Sequence, residues 1–502
     1  MEIKKIKVQK GGEYSFHNRA DFCIGTGRMG LALQQEYQEQ LRMVQEGIGF
    51  SYIRGHGLFS DDMGIYQEYE ENGEVKAEYN FTYLDRVMDS YRSLGLRPFL
   101  ELGFMPEKMA SGEQTVFYWK GNVTPPSDYG AWCALVQATL RHLCERYGAD
   151  EVVQWPVEVW NEPNLGGFWK DADMQEYFRL FQTTFDAVKE VDARFCVGGP
   201  AICGVDDERW MQEFLSFCRK EKIELDFVTR HHYTTELPEH IGHYGYVKLH
   251  DPVENRKTLD KTREIVDSFP EYAGKKIHIT EFNTSYIPNC PLHDTNRNAA
   301  YIARMLSWMG DMNESYSYWT FGDVFEEFGV PFTPFHGGFG LVANGCIPKP
   351  TYWTFSFYKE LKGGCVWRSE EAVVVQREDG SYYCVCWNLC MEGENSEKEL
   401  AIEFPASVDK EYCVVERLVD EEVCNPLKAW HDMGEPSSLS EGQKNLLKEC
   451  AKPFVRTWKA DRENDGYIHV RVQLRRNAVA ALEVIPVIPH SDRGYSYERV
   501  IR

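Results

Sequence analysis

The stretch VEVWNEPN, residues 157–164, is a short apolar run that ends abruptly in polar residues. Its first residues are β-branched or long enough for a buried strand, and an amide and a carboxylate, Asn161 and Glu162, follow at once. Pro163 has no N–H and cannot extend a strand ladder, so we expect the strand to end there. The stretch therefore predicts a buried strand that presents two polar side chains at its C-terminal end.

Seven other runs resemble this one, and together the eight runs alternate with amphipathic helical patterns. In chain order they read FCIGTG, FSYIRGHG, RPFLELGF, WPVEVWNEP, RFCVGGPAI, LDFVTRHHY, KKIHITEFN and SYSYWTFGD. The helices predicted after them span residues 34–47, 82–95, 129–147, 174–191, 209–220, 254–269, 296–309 and 351–362. Eight strand–helix repeats predict a parallel (β/α)8 TIM barrel.

The pattern changes to all-β near residue 364. The run EEAVVVQREDGSYYCVCWNL reads as two strands around the turn pair Asp379-Gly380, and four more strand-like runs follow. One isolated helix is predicted over 439–453. We expect residues 14–363 to form the barrel and residues 364–502 a β-sandwich domain with this helical insertion and a C-terminal tail. The alternating run in residues 1–13 predicts an N-terminal strand that joins the sandwich.

Composition narrows the class of partner. Lys and Arg number 55 against 78 Asp and Glu, a formal charge of −23 that repels nucleic acid and anionic membrane surfaces. No run of membrane-spanning length occurs, and the N-terminus MEIKKIKVQKGGEYSF lacks the apolar segment of a signal peptide. The 15 cysteines are scattered and read as buried thiols in a reducing compartment. We therefore expect a cytoplasmic protein without nucleic-acid or membrane partners.

Two features invite a metal-site interpretation, and we favour a structural reading of both. Cys384 and Cys386 are two residues apart and fall on one face of a predicted strand, with Cys390 nearby in the sequence, which indicates buried thiols. The histidines of residues 232–250 lack the spacing of a zinc motif. We expect no metal and no cofactor.

Active sites of such barrels lie at the C-terminal ends of the strands, where this chain places a polar set. Its members, in chain order, are Arg54, His56, Asn161, Glu162, Arg230, His231, His232, Tyr233, Glu281, Asn283, Trp319, Glu326 and Glu327. Glu162 and Glu281 end the fourth and seventh strands and could face each other across the barrel mouth. Glycoside hydrolysis needs such a pair, one carboxyl protonated as general acid and one ionised as nucleophile or base. The high aromatic content, 14%, suits either a sugar-binding cleft or a large core.

Many motifs in the right order resemble glycoside hydrolase family 39 and, within it, the bacterial β-xylosidases. They are YIRGHGLFSDDMGIY, PFLELGFMPEKMA, WNEPNLGGFWKDAD, VGGPAICG, DFVTRHHYT, ITEFNTSY, YWTFGDVFEE and FHGGFGLV. The resemblance begins near residue 45, runs through the barrel, and continues into the C-terminal part at WHDMGEPSS and NDGYIHV.

The resemblance implies a role for each strand-end residue. Glu162 is expected to be the general acid/base and Glu281 the nucleophile, while Asn161 would bind the sugar 2-OH. Arg54 and Tyr233 would lie beside Glu281 and keep it ionised and oriented.

The remaining contacts implied by the family belong to the sugar pocket. His56 and His231 would bind hydroxyls, Trp319 would form the apolar floor, and Glu326 or Glu327 would hold outer hydroxyls. Residue chemistry alone leaves alternatives open, because Arg54 could be a structural ion-pair partner and Trp319 could belong to the core. This chain departs from the family pattern at His232, where a small residue is usual. Strand alternation predicts that its side chain points away from the pocket unless the strand bulges there.

The implied activity is that of a retaining exo-β-1,4-xylosidase that releases xylose from the non-reducing ends of xylo-oligosaccharides. The same chemistry on another sugar, as in α-L-iduronidases, β-glucosidases or α-L-arabinosidases, is the alternative. An inactive sugar-binding barrel is a remote one, since both glutamates are present. Relatives are often oligomeric, which adds a homo-oligomer to the expected partners.

Overall fold

The computed structural model describes residues 2–408, 410–460, 462–488 and 494–501. Eight parallel strands close into a barrel, each paired with its neighbour in chain order and the last paired with the first. These strands, β1 to β8, are Cys23–Arg28, Tyr52–His56, Arg97–Leu102, Val157–Val159, Val197–Ile202, Phe227–Tyr233, Lys276–Asn283 and Ser315–Tyr318. The predicted (β/α)8 barrel is confirmed.

Eight principal helices, α1 to α8, follow the strands and cover them. They are Gln35–Gly47, Thr82–Ser93, Tyr129–Tyr147, Met174–Val191, Asp207–Glu221, Pro252–Asp267, Asn296–Leu306 and Pro350–Tyr358. The helices α7 and α8 end earlier than predicted. A 3-10 turn, Met309–Asp311, includes the last residue of the helix predicted over 296–309. None of the helices that the structure describes is both long and apolar enough to span a bilayer.

The barrel interior has an apolar lower layer and a charged upper layer. Cys23, Phe99 and Phe227 pack together near the strand N-termini. Higher up, Arg54 and Glu158 are fully buried between the strands. The apolar layer also contacts the ring of His278, which is hydrogen-bonded to Ser315, so the charged groups Arg54 and Glu158 lie above it, nearer the mouth.

Two sheets form the second unit. The six-stranded sheet runs Gly364–Arg368, Ala372–Gln376, Tyr382–Asn388, Ala478–Val487, Glu411–Val419 and Phe454–Ala460. The three-stranded sheet contains Lys398–Pro405 between Tyr467–Leu474 and the N-terminal strand Glu2–Lys7, which pairs with it in parallel. Residues of both sheets, among them Ile6, Leu400, Val470 and Cys384, make one shared core.

The central strand Tyr382–Asn388 of the six-stranded sheet is buried on both faces. Cys384 and Cys386 face the sandwich core, whereas Val385 and Trp387 belong to the core shared with the barrel. This explains why YYCVCWN contains no polar residue before its last position. The two cysteines lie on one face, as their alternation predicted, and all 15 thiols are free.

Two helices interrupt the sandwich strands. The predicted helix 439–453 spans Glu441–Cys450 and starts with a capping box between Ser440 and Gln443. A second helix, Pro426–Asp432, was missed, although its start carries an Asn N-cap and a proline in the first turn. Of the predicted C-terminal tail, residues 489–493 and 502 lie outside the described residues.

Candidate active site

The acid/base candidate stands on a left-handed backbone at the end of β4. Glu162 has φ 46° and Trp160 has φ 72°, values that cost side-chain-bearing residues strain. Hydrogen bonds to both neighbouring strands hold the turn in place: the Trp160 N–H donates to the Leu102 carbonyl, and the Glu162 N–H donates to the Ala201 carbonyl. The strand end therefore presents the Glu162 side chain to the barrel mouth.

Glu162 and Glu281 come close together across the mouth. A carboxyl oxygen of each lies within 4.8 Å of the other, and both side chains are buried. His231 stands between them, with Nδ1 2.7 Å from Glu162 Oε1 and 3.4 Å from Glu281 Oε2. The pair is thus the closely spaced kind of carboxylate pair.

Glu281 is held by donors on both carboxyl oxygens. Arg54 Nη1 donates to Oε1 at 2.8 Å, and the Tyr233 hydroxyl donates to Oε2 at 2.8 Å. His56 Nε2 lies 3.4 Å from Oε1. A guanidinium and a phenol thus bind both carboxyl oxygens and fix the orientation of the side chain.

Arg54 also binds two carboxylates, Glu101 and Glu158, that were not predicted to belong to the site. Its Nε donates to Glu158 at 2.6 Å and its Nη2 lies 2.9 Å from Glu101, while Nη2 also donates to Asn161 Oδ1 at 3.0 Å. Both extra carboxylates are fully buried. A signal was present, because RPFLELGF and WPVEVWNEP each place a glutamate inside an otherwise apolar strand.

The surroundings favour different protonation states for the main groups. Burial raises the pKa of Glu162 well above its usual value, and the nearby charge of Glu281 raises it further. Burial lowers the pKa of His231 well below its usual value, and the charge of Arg54 adds to that effect. His231 is therefore neutral, and Glu162 holds a proton at a pH where an ordinary carboxyl has lost it.

Glu162 and Glu281 line a cavity of about 570 Å³. Trp319 forms part of its wall, with its ring 4.6 Å from that of His56. The cavity is also lined by Asn161, Glu162, His231, Tyr233, Glu281 and apolar side chains that include Leu165, Phe168 and Phe339. A sugar-sized cavity with an indole wall and several polar groups suits a carbohydrate.

The structure separates the two neighbouring glutamates that follow β8. Glu327 lines the cavity, and burial together with the charges of Glu281 and Glu162 raises its pKa well above the usual value. Glu326 instead pairs with Arg28 at 2.6 Å and does not line the cavity. Of the two residues considered for the outer hydroxyls, only Glu327 is in position.

His232 follows the strand alternation that the sequence predicts. The register shift between β6 and β7 leaves Thr280 as an extra residue in β7, while β6 itself continues without a bulge. His231 and Tyr233 contact Glu281, whereas Arg230 contacts Thr262 on the opposite face. His232 shares the face of Arg230 and is buried, although both residues are among those that line the cavity. Arg230 is bonded to Asp207 at 2.9 Å.

Metal binding at this site would compete with contacts that are already made. Within the described ranges, one set of three ligand-type side chains is close enough to share an ion, and it is Glu162, His231 and Glu281. Each of them is hydrogen-bonded, and Arg54 places a positive charge on Glu281. The donor set fits proton transfer better than a cation.

Comparison with known proteins agrees with this geometry. Residues 4–469 match the family model described as Glycosyl hydrolases family 39. A Beta-xylosidase of Geobacillus stearothermophilus is 49% identical over 486 residues, 96% of this chain and 95% of that protein. A Beta-xylosidase of Caldicellulosiruptor saccharolyticus is 34% identical over 89% of this chain and 91% of its own. The crystal structure of a monomeric beta-xylosidase from Caulobacter crescentus superposes with a TM-score of 0.88 at 30% identity, covering 97% and 100% of the two chains.

Proposed function

Because the chain belongs to glycosyl hydrolase family 39, we propose that this glycoside hydrolase is a retaining exo-β-1,4-xylosidase. It would release xylose from the non-reducing ends of xylo-oligosaccharides. The observation that carries the proposal is the spacing of the two glutamates. Carboxyl oxygens within 4.8 Å fit the ~5–5.5 Å of retaining enzymes and leave no room for the water that inverting enzymes hold across ~6.5–9.5 Å.

In the first step Glu281 attacks the anomeric carbon while Glu162 gives its proton to the glycosidic oxygen. The bond from C1 to that oxygen breaks, the shortened oligosaccharide leaves as an alcohol, and a glycosyl ester forms on Glu281. The raised pKa of Glu162 supplies the proton at neutral pH. Asn161, fixed by Arg54, would bind the 2-OH, a contact that strengthens in the transition state.

In the second step Glu162, now ionised, takes a proton from water as the water oxygen attacks C1. The ester bond to Glu281 breaks, and xylose leaves with the β configuration it began with. Arg54 and Tyr233 stabilise the carboxylate that departs, since both already donate to it. Glu162 regains its proton, so the cycle closes without a cofactor.

The charges of the cavity favour a neutral sugar over a uronic acid. Among the described residues that line the cavity, Arg230 is the one arginine or lysine, and it already forms an ion pair with Asp207. The carboxylate of Glu281, the proposed nucleophile, would repel a C5 carboxylate. An α-L-iduronidase activity is therefore disfavoured, whereas β-glucosidase or α-L-arabinosidase side activities differ from the proposed one by contacts worth only ~1–3 kcal/mol.

A cytoplasmic location and a role in xylan breakdown belong to the same proposal. Fifteen free thiols suit a reducing compartment, and short oligosaccharides are substrates that a cell can import. Homo-oligomerisation stays a prediction, and light scattering of the purified protein tests it. Cell fractionation with an antibody tests the location.

The test of the activity is proton NMR of the anomeric signal during hydrolysis of an aryl β-D-xyloside. We expect β-xylose first and the α anomer only as mutarotation proceeds. Early α-xylose would mean an inverting site and would remove Glu281 from the nucleophile role. Glu281→Ala, run in parallel, should give no product, and hydrolysis of another glycoside alone would transfer the proposal to that sugar.

A further inference from the structure

Glu101 is a buried carboxylate that touches the catalytic machinery but not the cavity. It lies in β3, its side chain is fully buried, and it is not among the cavity-lining residues. Its Oε2 lies 2.6 Å from His56 Nδ1 and 2.9 Å from Arg54 Nη2, whereas its Oε1 has no hydrogen-bond partner among the residues that the structure describes. All the polar contacts of this side chain therefore converge on two residues beside the nucleophile.

The contact with His56 fixes which ring nitrogen carries a proton. An ionised carboxylate only accepts hydrogen bonds, so a ring nitrogen 2.6 Å away from it must be an N–H. The opposite tautomer would direct a lone pair at a negative oxygen at that distance. Nδ1 is accordingly the protonated nitrogen, and Nε2 is the one directed at the cavity and at Glu281.

Nε2 is not a donor to the nucleophile. It lies 3.4 Å from Glu281 Oε1, beyond the 2.7–3.2 Å of an ordinary N–H···O hydrogen bond. That oxygen already accepts from Arg54, and the other accepts from Tyr233. A third donor would withdraw more charge from the carboxylate that must attack C1.

We propose that Glu101 is a positioning residue that holds His56 in the Nδ1–H tautomer. Nε2 then accepts a hydrogen bond from a sugar hydroxyl instead of donating one to Glu281. The inference rests on the proposed function only for its effect on rate. The tautomer itself is a property of the free protein. The arrangement parallels a hydrolase triad, in which a buried carboxylate sets the tautomer of a histidine that it does not deprotonate.

Glu158 provides a matched control, because it is a second buried carboxylate on the same guanidinium. It binds Arg54 Nε at 2.6 Å and Thr280 Oγ1 at 2.8 Å. His56 has no contact with it among the described hydrogen bonds and ion pairs. Glu158→Gln thus removes the same charge from Arg54 as Glu101→Gln and leaves the His56 contact intact.

The first measurement is kcat/KM for an aryl β-D-xyloside in a double-mutant cycle with His56→Ala. Glu101→Gln keeps the side-chain shape but replaces the anion by a neutral amide oxygen facing Nδ1 and Arg54, so the preference for a ring proton on Nδ1 over Nε2 weakens. We expect a loss of about 10- to 100-fold in the wild-type background and little further loss when His56 is already alanine. Glu158→Gln should cost the same in both backgrounds. If the cost of Glu101→Gln is also unchanged by His56→Ala, Glu101 acts through Arg54 or the fold and the proposal is overturned.

The pH profile adds a readout that a purely structural role would not move. The charged and titratable groups facing His56 and Glu281 are Arg54, Glu101, Glu162, His231 and Tyr233, with Glu158 and Glu327 around them. In Glu101→Gln, a new donor and one fewer negative charge both stabilise ionised Glu281. The acidic limb of kcat/KM should therefore move to lower pH, and an unmoved limb would count against the inference.

The second measurement needs no substrate, which separates this inference from the proposed function. Long-range proton–nitrogen NMR of protein carrying ¹⁵N-histidine distinguishes an N–H nitrogen from a bare ring nitrogen, and His56→Ala identifies the resonances. We expect Nδ1–H with bare Nε2 in the wild type and a measurable fraction of Nε2–H in Glu101→Gln. A proton on Nε2 of the wild type, alone or on both nitrogens, would overturn the proposal. Thermal unfolding of each variant checks that it is folded.

Discussion

At the scale of single residues, two glutamates of one cavity have different neighbours, and this is the basis for proposing opposite roles for them. Glu281 accepts from a guanidinium and a phenol. Among the described residues, a neutral imidazole is the hydrogen-bond partner of the Glu162 carboxyl, and burial together with the charge of Glu281 raises its pKa. The proposed assignment of acid and nucleophile therefore rests on neighbours and not on residue type.

Glu162→Ala should separate the two chemical steps. With an aryl xyloside whose leaving group needs no proton, the glycosyl ester still forms but its hydrolysis lacks a general base. We expect a burst of phenol followed by turnover slowed about 10²- to 10⁴-fold, with azide restoring the rate and giving the β-xylosyl azide. Glu281→Ala is the control, and azide should not restore retained product there. Equal, mild losses in both variants would contradict the role assignment.

Glu327→Gln should stabilise the protein in a pH-dependent way. Because the folded-state pKa of Glu327 is raised, the folded state binds more protons than the unfolded chain, and stability is lost as pH rises above the unfolded value of ~4.3. Neutral glutamine removes this cost. The melting temperature should rise by a few degrees at pH 7.5 and little at pH 4.5.

Its neighbour supplies the control for that experiment. Glu326 makes a favourable pair with Arg28 outside the cavity, so Glu326→Gln should not raise the melting temperature at either pH. Stabilisation by both substitutions would mean that general surface repulsion, and not the cavity, is responsible.

At the scale of elements, the strand ends set the shape of the site. In β1, Gly25 lies directly against the Trp319 ring. A Cβ at Gly25 would lie 2.4 Å from the indole and 3.0 Å from the Tyr318 carbonyl oxygen. The first contact is with a side chain buried among Phe325 and Phe339, which leaves it little room to retreat. A strand residue thus determines the position of the sugar wall.

Gly25→Ala should displace Trp319 and impair the sugar site. We expect kcat/KM to fall about 10-fold or more, since small misplacements at a reacting centre cost up to ~10²-fold. Tryptophan fluorescence quenching by xylose should weaken in parallel. Gly167→Ala, at a position with no atom within 4 Å of the new Cβ, should leave both measurements unchanged. Full activity of Gly25→Ala would show that the wall has room to move.

At the scale of the whole molecule, the sandwich and the barrel share one sheet. The six-stranded sheet packs its inner face on the second sheet and its outer face on α7. The N-terminal strand completes the smaller sheet, although its chain continues directly into the barrel. Damage to this strand should consequently weaken a unit formed mainly from the other end of the chain.

Ile6→Asp tests that coupling. Ile6 is 4% exposed in the sandwich core, and a carboxylate there would be buried without a partner. We expect destabilisation by about 3 kcal/mol or more, seen as a lower denaturant midpoint. Ile3 on the same strand is 54% exposed, so Ile3→Asp should change the midpoint by at most ~0.5 kcal/mol. Similar effects of both would contradict the burial pattern.

The sequence by itself determined the architecture and the ends of the strands. Local periodicity and turn residues are read within about 20 residues, so β4 and the polar pair Asn161 and Glu162 could be predicted before any contact was known. The number of repeats then implied a barrel, and the barrel implied where polar side chains meet. The resemblance to family 39 is confirmed, while the roles it assigns to these residues stay predictions.

Tertiary structure alone decided the distances and the partners. The spacing of Glu162 and Glu281 depends on how strands 119 residues apart in the chain are staggered around the barrel, which no local pattern encodes. The register shift between β6 and β7, where Thr280 is the extra residue, brings His231 level with Glu281, and this too could not be read from either strand alone. The pairing of Glu101 and Glu158 with Arg54 is visible only in the closed barrel. A charged residue inside a strand finds its partner through contacts that are distant in the sequence.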